Sequence, residues 1–144
     1  LILNVKIQEN YRALSCLQYL FLNSELSNHL ANTCDFIVPA PSSLWSRLHG
    51  RIDLAWFLAS ALAEKNNCKL KKAPFHLHWQ LNKRSKMQDR KKIIEVGETL
   101  HYEGKQTTCL IIDDVVTSGY TLKRVASAIK EENCKYLTLG SAFV

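Results

Sequence analysis

The sequence predicts an α/β fold with parallel strands, on three observations. Residues 109–142 run as an apolar strand, a polar loop, an amphipathic helix and a second apolar strand. That is a βαβ unit, which implies parallel strands and a right-handed crossover. Earlier, Phe36-Ile37-Val38 gives a short buried strand followed by Pro39 and Pro41, then a second helix. Finally, 144 residues with 47% hydrophobic content fit one domain around one core.

The elements follow in order. Residues 10–22 place Leu14, Leu17 and Phe21 at helical spacing, with Asn10 as a cap. Proline blocks a strand ladder and biases its predecessor to extended geometry, so the strand at Phe36–Val38 should end at Pro39 and Pro41. Leu44, Trp45 and Leu48 fall in a turn or short helix. Residues 51–67 form a helix with Ile52, Trp56, Ala59 and Ala63 on one stripe, which makes Trp56 a core residue. Cys68 to Leu70 reads as an edge strand. A dense basic segment follows, with Lys83, Arg84, Lys86, Arg90, Lys91 and Lys92, and Lys72 upstream. Such a run is ordinarily a solvated loop or helix face. Glu103-Gly104-Lys105 signals a turn. A strand from Cys109 to Ile112, a loop from Asp113 to Thr121, a helix from Leu122 to Glu132 and a strand from Tyr136 to about Ala142 complete the chain. The last helix stripe is Leu122, Val125, Ala126 and Ile129.

Composition narrows the function classes. A formal charge of +6 favours anionic partners such as phosphates, nucleotides or nucleic acid. No apolar run approaches the length of a membrane span and no basic-then-apolar leader opens the chain, so a cytoplasmic location is expected. The chain opens on Leu1 rather than methionine, as expected of a trimmed chain or of a domain cut from something longer. The five cysteines are widely spaced without a C-x-x-C, so neither a disulfide framework nor a clustered zinc site is indicated. They read as buried small hydrophobes. His76-x-His78 lacks a third ligand, and Trp79, beside the basic run, is a better stacking candidate than Trp56.

The chemistry concentrates after the strand at Cys109. Asp113 and Asp114 follow the apolar run, and Val115-Val116-Thr117-Ser118-Gly119-Tyr120-Thr121 leads into a helix. Backbone N–H groups, three hydroxyls and the helix dipole make this loop a phosphate cradle, and Gly119 permits a backbone that a Cβ forbids. The acids would repel phosphate and suit sugar hydroxyls or a magnesium shell instead. Capping of the following turn would explain one acid but not the pair with its hydroxyl loop. In parallel sheets, ligands sit outside the carboxyl ends of the strands, and the loops after Val38 and Ile112 both fall there.

Cys109 to Thr121, CLIIDDVVTSGYT, resembles the phosphoribosyl-pyrophosphate (PRPP) binding signature of type I phosphoribosyltransferases at every position. Within these proteins the chain is most similar to the ComF family, linked to DNA uptake in competent bacteria. The supporting residues are Ile37-Val38-Pro39-Ala40-Pro41, then Arg47, Gly50 and Asp53, and a basic loop ending at Arg90. The resemblance implies an open parallel sheet with helices on both faces and a hood that is small or absent. It divides the chain into an N-terminal helical segment, 1–33, and a phosphoribosyltransferase-like domain, 34–144.

The same resemblance implies roles. Asp113 and Asp114 would hold the ribose hydroxyls and magnesium, directly or through water. Val116, Thr117, Ser118, Gly119, Tyr120 and Thr121 would wrap the 5-phosphate. Pro39, Ala40, Pro41, Ser42 and Ser43, with Arg47, would meet pyrophosphate. Lys83, Arg84, Lys86 or Arg90 on a mobile cover would neutralise the departing pyrophosphate and exclude water. The implied activity is a magnesium-dependent transfer from PRPP with release of pyrophosphate, the acceptor being open. The alternative is an accessory protein that binds PRPP without efficient turnover and works with DNA or the uptake machinery. Oligomerisation is open under either reading.

Overall fold

The computed structural model describes residues 11–42, 51–73, 75–77, 94–96, 107–116, 118–129 and 133–141. In chain order the elements are α1 (Tyr11–Leu22), α2 (Glu25–Asn32), β1 (Phe36–Pro39), α3 (Leu54–Lys65), β2 (Lys69–Leu70), β3 (Phe75–Leu77), β4 (Ile94–Val96), β5 (Thr108–Val116), α4 (Tyr120–Ile129) and β6 (Asn133–Ser141). Strands β2, β1, β5 and β6 lie side by side in that order, and every pairing among them is parallel. β3 and β4 form a separate antiparallel pair with Leu77 opposite Ile94.

A parallel sheet buries both faces, so its strands read as continuous apolar runs. Successive residues point to opposite faces and feed two cores. Ile37, Leu110, Ile112 and Leu137 pack against α1 (Ala13, Leu14, Leu17, Phe21) and α3 (Leu54, Leu58, Ala59, Leu62, Ala63). Phe36, Val38, Cys109 and Ile111 pack against α4 through Leu122, Val125, Ala128 and Ile129. Ile37, Leu58, Leu110 and Ile111 are completely buried. Each such side chain contributes roughly 1.5–3 kcal/mol relative to exposure. Helices thus cover both faces of the open parallel sheet, as expected.

Several local readings need correction. β5 continues through Asp113 and Asp114 to Val116, because β6 carries the ladder past the end of β1: Asp113 pairs with Thr138 and Val116 with Ser141. The acids are strand residues, and backbone pairing is indifferent to their charge. The helix after them starts at Tyr120, two positions ahead of Leu122, and β6 starts at Asn133, ahead of Tyr136. Trp56 is not core. It is 37% exposed, and α3 buries Leu54, Ala55, Leu58, Ala59, Leu62 and Ala63 instead. Among the cysteines only Cys109 is buried; Cys16 is exposed, and Cys34, Cys68 and Cys134 are half-buried. The edge strand at Cys68 to Leu70 is present as β2. Asn10, Trp45, His78 and Trp79 lie outside the described residues.

The helical corner is held by polar contacts at helix ends, where carbonyls lack intrahelical partners. Ser24 caps α2, its hydroxyl accepting from Ser27 N. The Asn28 amide donates to Leu22 O and Ser24 O, both at 2.8 Å. Lys65, in the last turn of α3, also donates to Leu22 O. Asn66, closing α3, donates to Asn28 Oδ1 at 3.2 Å and to Leu62 O at 3.0 Å. Among the described residues, no helix is long and apolar enough to cross a membrane.

Candidate active site

All four strands of the main sheet run the same way, so their carboxyl ends share one rim. β1 and β5 are neighbours, in register from Phe36 with Cys109 to Pro39 with Ile112. Beyond that last rung both chains enter the candidate loops. Ala40 is buried and its N–H donates to Ile112 O at 2.7 Å, which ties the first loop to β5. Pro41 and Ser42 are half-buried, and among the described residues Ser42 Oγ is buried without a hydrogen-bond partner. A buried hydroxyl without a partner is costly in a closed core.

On β5 the acids are consecutive, half-buried strand residues. Each carboxylate turns back on the chain. Asp113 Oδ1 accepts from Asp114 N at 2.8 Å, and Asp114 Oδ1 accepts from Val115 N at 2.6 Å. Val116, half-buried, packs against the cluster on the α4 face.

The loop to α4 is tight. Gly119 has φ +66°, and a Cβ added there would meet nothing within 4 Å. The glycine therefore answers a backbone demand, and the space in front of it is open. Its carbonyl accepts from Lys123 N at 3.1 Å, the first bond of α4. With glycine at the cap, no side chain from that position covers the first-turn N–H groups. Ser118 is exposed and its hydroxyl accepts from Tyr120 N at 3.4 Å. Tyr120 and Thr121 are half-buried in the first turn, with the Arg124 guanidinium 5.9 Å from the Tyr120 ring.

The structure thus brings Pro39, Ala40, Pro41 and Ser42 to the same rim as Asp113, Asp114, Val116, Ser118, Gly119, Tyr120 and Thr121. Thr117, Ser43, Arg47, Gly50 and the basic residues Lys83, Arg84, Lys86 and Arg90 lie outside the described residues. Asp53 caps α3, its carboxylate accepting from Trp56 N at 3.1 Å. Sequence reasoning grouped Lys72 with the distant basic run and missed Lys71. Lys71 and Lys72 leave β2 beside the rim, with Lys71 Nζ 4.2 Å from the Phe36 ring centroid and Lys72 Nζ 5.9 Å from that of Trp56. Their signal was two lysines directly after an edge strand, obscured by the longer basic run. Among the described residues there is no group of three or more His, Cys, Asp or Glu that could hold a metal. Two carboxylates are nonetheless hard oxygen donors of the kind magnesium takes alongside substrate phosphates.

Residues 60–144, more than half of the chain, match the family model for the phosphoribosyl transferase domain. The chain belongs to that family. The phosphoribosyltransferase fold is also found in similar solved structures. Orotate phosphoribosyltransferase from Aeropyrum pernix matches with a TM-score of 0.53 at 11% identity, covering 94% of this chain and 63% of that one. This chain therefore spans less than two thirds of the length of the orotate enzyme. Purine phosphoribosyltransferase from Pyrococcus horikoshii Ot3 matches with a TM-score of 0.57 at 18% identity, covering 89% and 84%. Helicobacter pylori xanthine-guanine-hypoxanthine phosphoribosyltransferase gives 0.52 at 11%, covering 92% and 76%. At these identities the likeness is one of fold. No curated protein matches the sequence significantly.

Proposed function

We propose that the chain binds PRPP with magnesium at this rim and transfers the phosphoribosyl group to an acceptor, releasing pyrophosphate. The observation that carries the reading is the register of Pro39 with Ile112, which sets the Pro39–Ser42 loop beside the Asp113–Thr121 segment. The 5-phosphate takes the open space before Gly119 and the first-turn N–H groups of α4. Asp113 and Asp114 hold ribose hydroxyls and, directly or through water, magnesium. The metal, when bound, supplies charge neutralisation for the departing pyrophosphate. Ser42 Oγ donates to that pyrophosphate. The segment carrying Lys83, Arg84, Lys86 and Arg90 leaves β3 at Leu77 and rejoins β4 at Ile94, which are register partners. On a cover over the cleft its cations would meet pyrophosphate.

Within the family we read the chain as ComF-like, on the Pro39-Ala40-Pro41 strand end and the Asp53 that opens α3. The charge of +6 favours a second reading, a PRPP-binding accessory protein that touches a DNA backbone. Pyrophosphate release from PRPP and magnesium, across a panel of bases and amines, tests the first. Release with at least one acceptor establishes the transferase. Magnesium-dependent PRPP binding without release, displaced by single-stranded DNA, establishes the second.

A further inference from the structure

We infer that Cys34 and Cys68 form a dithiol that closes to an intramolecular disulfide when a small-molecule disulfide reaches it, at the end of the sheet opposite the proposed PRPP site. Cys34 precedes β1 and Cys68 precedes β2, and these strands are parallel neighbours with Phe36 beside Lys69. Carried one residue back, that register sets Cys68 beside Asp35, diagonal to Cys34. Strand spacings of about 4.8 Å across and 3.3 Å along put such a diagonal near 6 Å between Cα atoms. Disulfides span roughly 4.4–6.8 Å. The side chains agree with the backbone. Cys68 Sγ lies 3.6 Å from Cys34 O, and both residues pack against the same apolar cluster beneath α1 and α3.

Access separates this pair from the other cysteines. Cys109 and Cys134 are also cross-strand partners, but Cys109 is fully buried and no reagent reaches it. Cys16 is exposed on α1, apart from both pairs. Cys34 and Cys68 are each half-buried, open enough for attack and close enough for closure. Lys135 supplies a cation on this side, its Nζ donating to Thr33 Oγ1 at 2.8 Å, and its field favours the Cys34 thiolate. Burial outweighs it and pushes both thiols above their ordinary value of 9.0, so closure should quicken as pH rises towards that range.

The chemistry balances with oxidised glutathione as oxidant. The Cys34 thiolate attacks one glutathione sulfur, forming a mixed disulfide and expelling the first glutathione thiolate. The Cys68 thiolate then attacks Cys34 Sγ and expels the second. The cysteines lose two electrons, and their two protons end on two glutathiones. The bridge would enclose β1, the loop after it and α3 in one covalent ring.

The test incubates the full chain with oxidised glutathione, followed by intact mass and non-reducing peptide mapping. The expected result is loss of two hydrogen masses and a linked peptide carrying Cys34 and Cys68. The link should be absent in Cys34→Ser and in Cys68→Ser and retained in Cys16→Ser, with circular dichroism confirming that each variant is folded. Each serine variant should instead keep one glutathione on its remaining cysteine of the pair. A parent chain that carries glutathione on Cys34 or Cys68 without a link, stays reduced at both, or links Cys109 to Cys134 overturns the inference.

Discussion

Pro39 and Ile112 occupy the last shared rung of β1 and β5, and Ala40, one residue on, hydrogen-bonds the Ile112 carbonyl at 2.7 Å. From that rung the chain on one side turns into the Pro39–Ser42 loop, while the other continues as strand through Asp113 and Asp114. The proposed roles of these segments make separable predictions.

The acids should act on the sugar and metal, not on the phosphate. Asp113→Asn with Asp114→Asn removes both charges but keeps the side-chain oxygens that accept from Asp114 N and Val115 N. The double variant should therefore lose magnesium-dependent PRPP affinity by at least about tenfold, or about 1.4 kcal/mol, while sulfate binding persists. Calorimetric titration with each ligand checks this. Unchanged affinity for PRPP with magnesium would assign the acids to loop geometry alone.

Gly119 should be costly to replace because of its backbone, with further loss at the ligand. Its φ of +66° charges any L-residue about 1–2 kcal/mol, and more for a β-branched one. Gly119→Ala should lower stability in urea by about that much, with no clash inside the protein. Gly119→Val should also abolish PRPP binding, since its side chain enters the space assigned to phosphate. A valine variant that binds like the parent removes the phosphate from this loop.

How much of this was legible in the sequence can be judged element by element. β5, α4 and β6 were, because apolar runs and a helical stripe alternate without ambiguity. The length of β5 was not, since charge at Asp113 and Asp114 says nothing about a ladder made by backbone. α2 was not legible as a helix of its own within the N-terminal helical segment, because it buries only Ser27 and Ala31 and turns Leu26 outward. α3 was found but misrotated by about a quarter turn at 100° per residue. Its core segment is apolar nearly all round, so pattern alone could not say that Trp56 faces out. The motif itself was readable because strand, acids, glycine and helix start are consecutive, whereas the approach of Lys71 and Lys72 depends on strand order.

The rotation of α3 gives a stability contrast. Leu58→Ala empties a fully buried position and should cost about 2–5 kcal/mol. Trp56→Ala, although it removes a larger side chain, should cost less than Leu58→Ala. Denaturant melts of the two variants decide, and the reverse order would mean that Trp56 packs as core.

Asn28 and Asn66 should be energetically coupled. Asn66 donates to Asn28 Oδ1, and Asn28 donates to two carbonyls at the α1–α2 junction. A double-mutant cycle with alanine at both positions should return a coupling of about 0.5–1.5 kcal/mol. Additive losses would mean that the two helices are joined by packing only.

Alkaline pH should destabilise the fold through its thiols. Burial raises Cys34 and Cys68 above 9.0, so the unfolded chain loses these protons first as pH rises. Their contribution is whole below pH 9 and declines as pH climbs through the raised folded values. Cys34→Ser with Cys68→Ser should flatten the fall in denaturant midpoint above pH 9. An equal slope in parent and variant would point to other groups.

The ring of Pro39 has a further consequence, for the donors the chain leaves inside. Ile37 accepts from Lys71 N on the outer side of β1, while Ala40 turns its N–H to β5. By alternation, position 39 faces the same side as Ile37, just past the β2 pairing that ends at Leu70. Pro39 is buried, so any other residue there would bring an N–H that needs a partner away from water. Proline has no N–H, and the chain can leave the ladder at this point without stranding a donor.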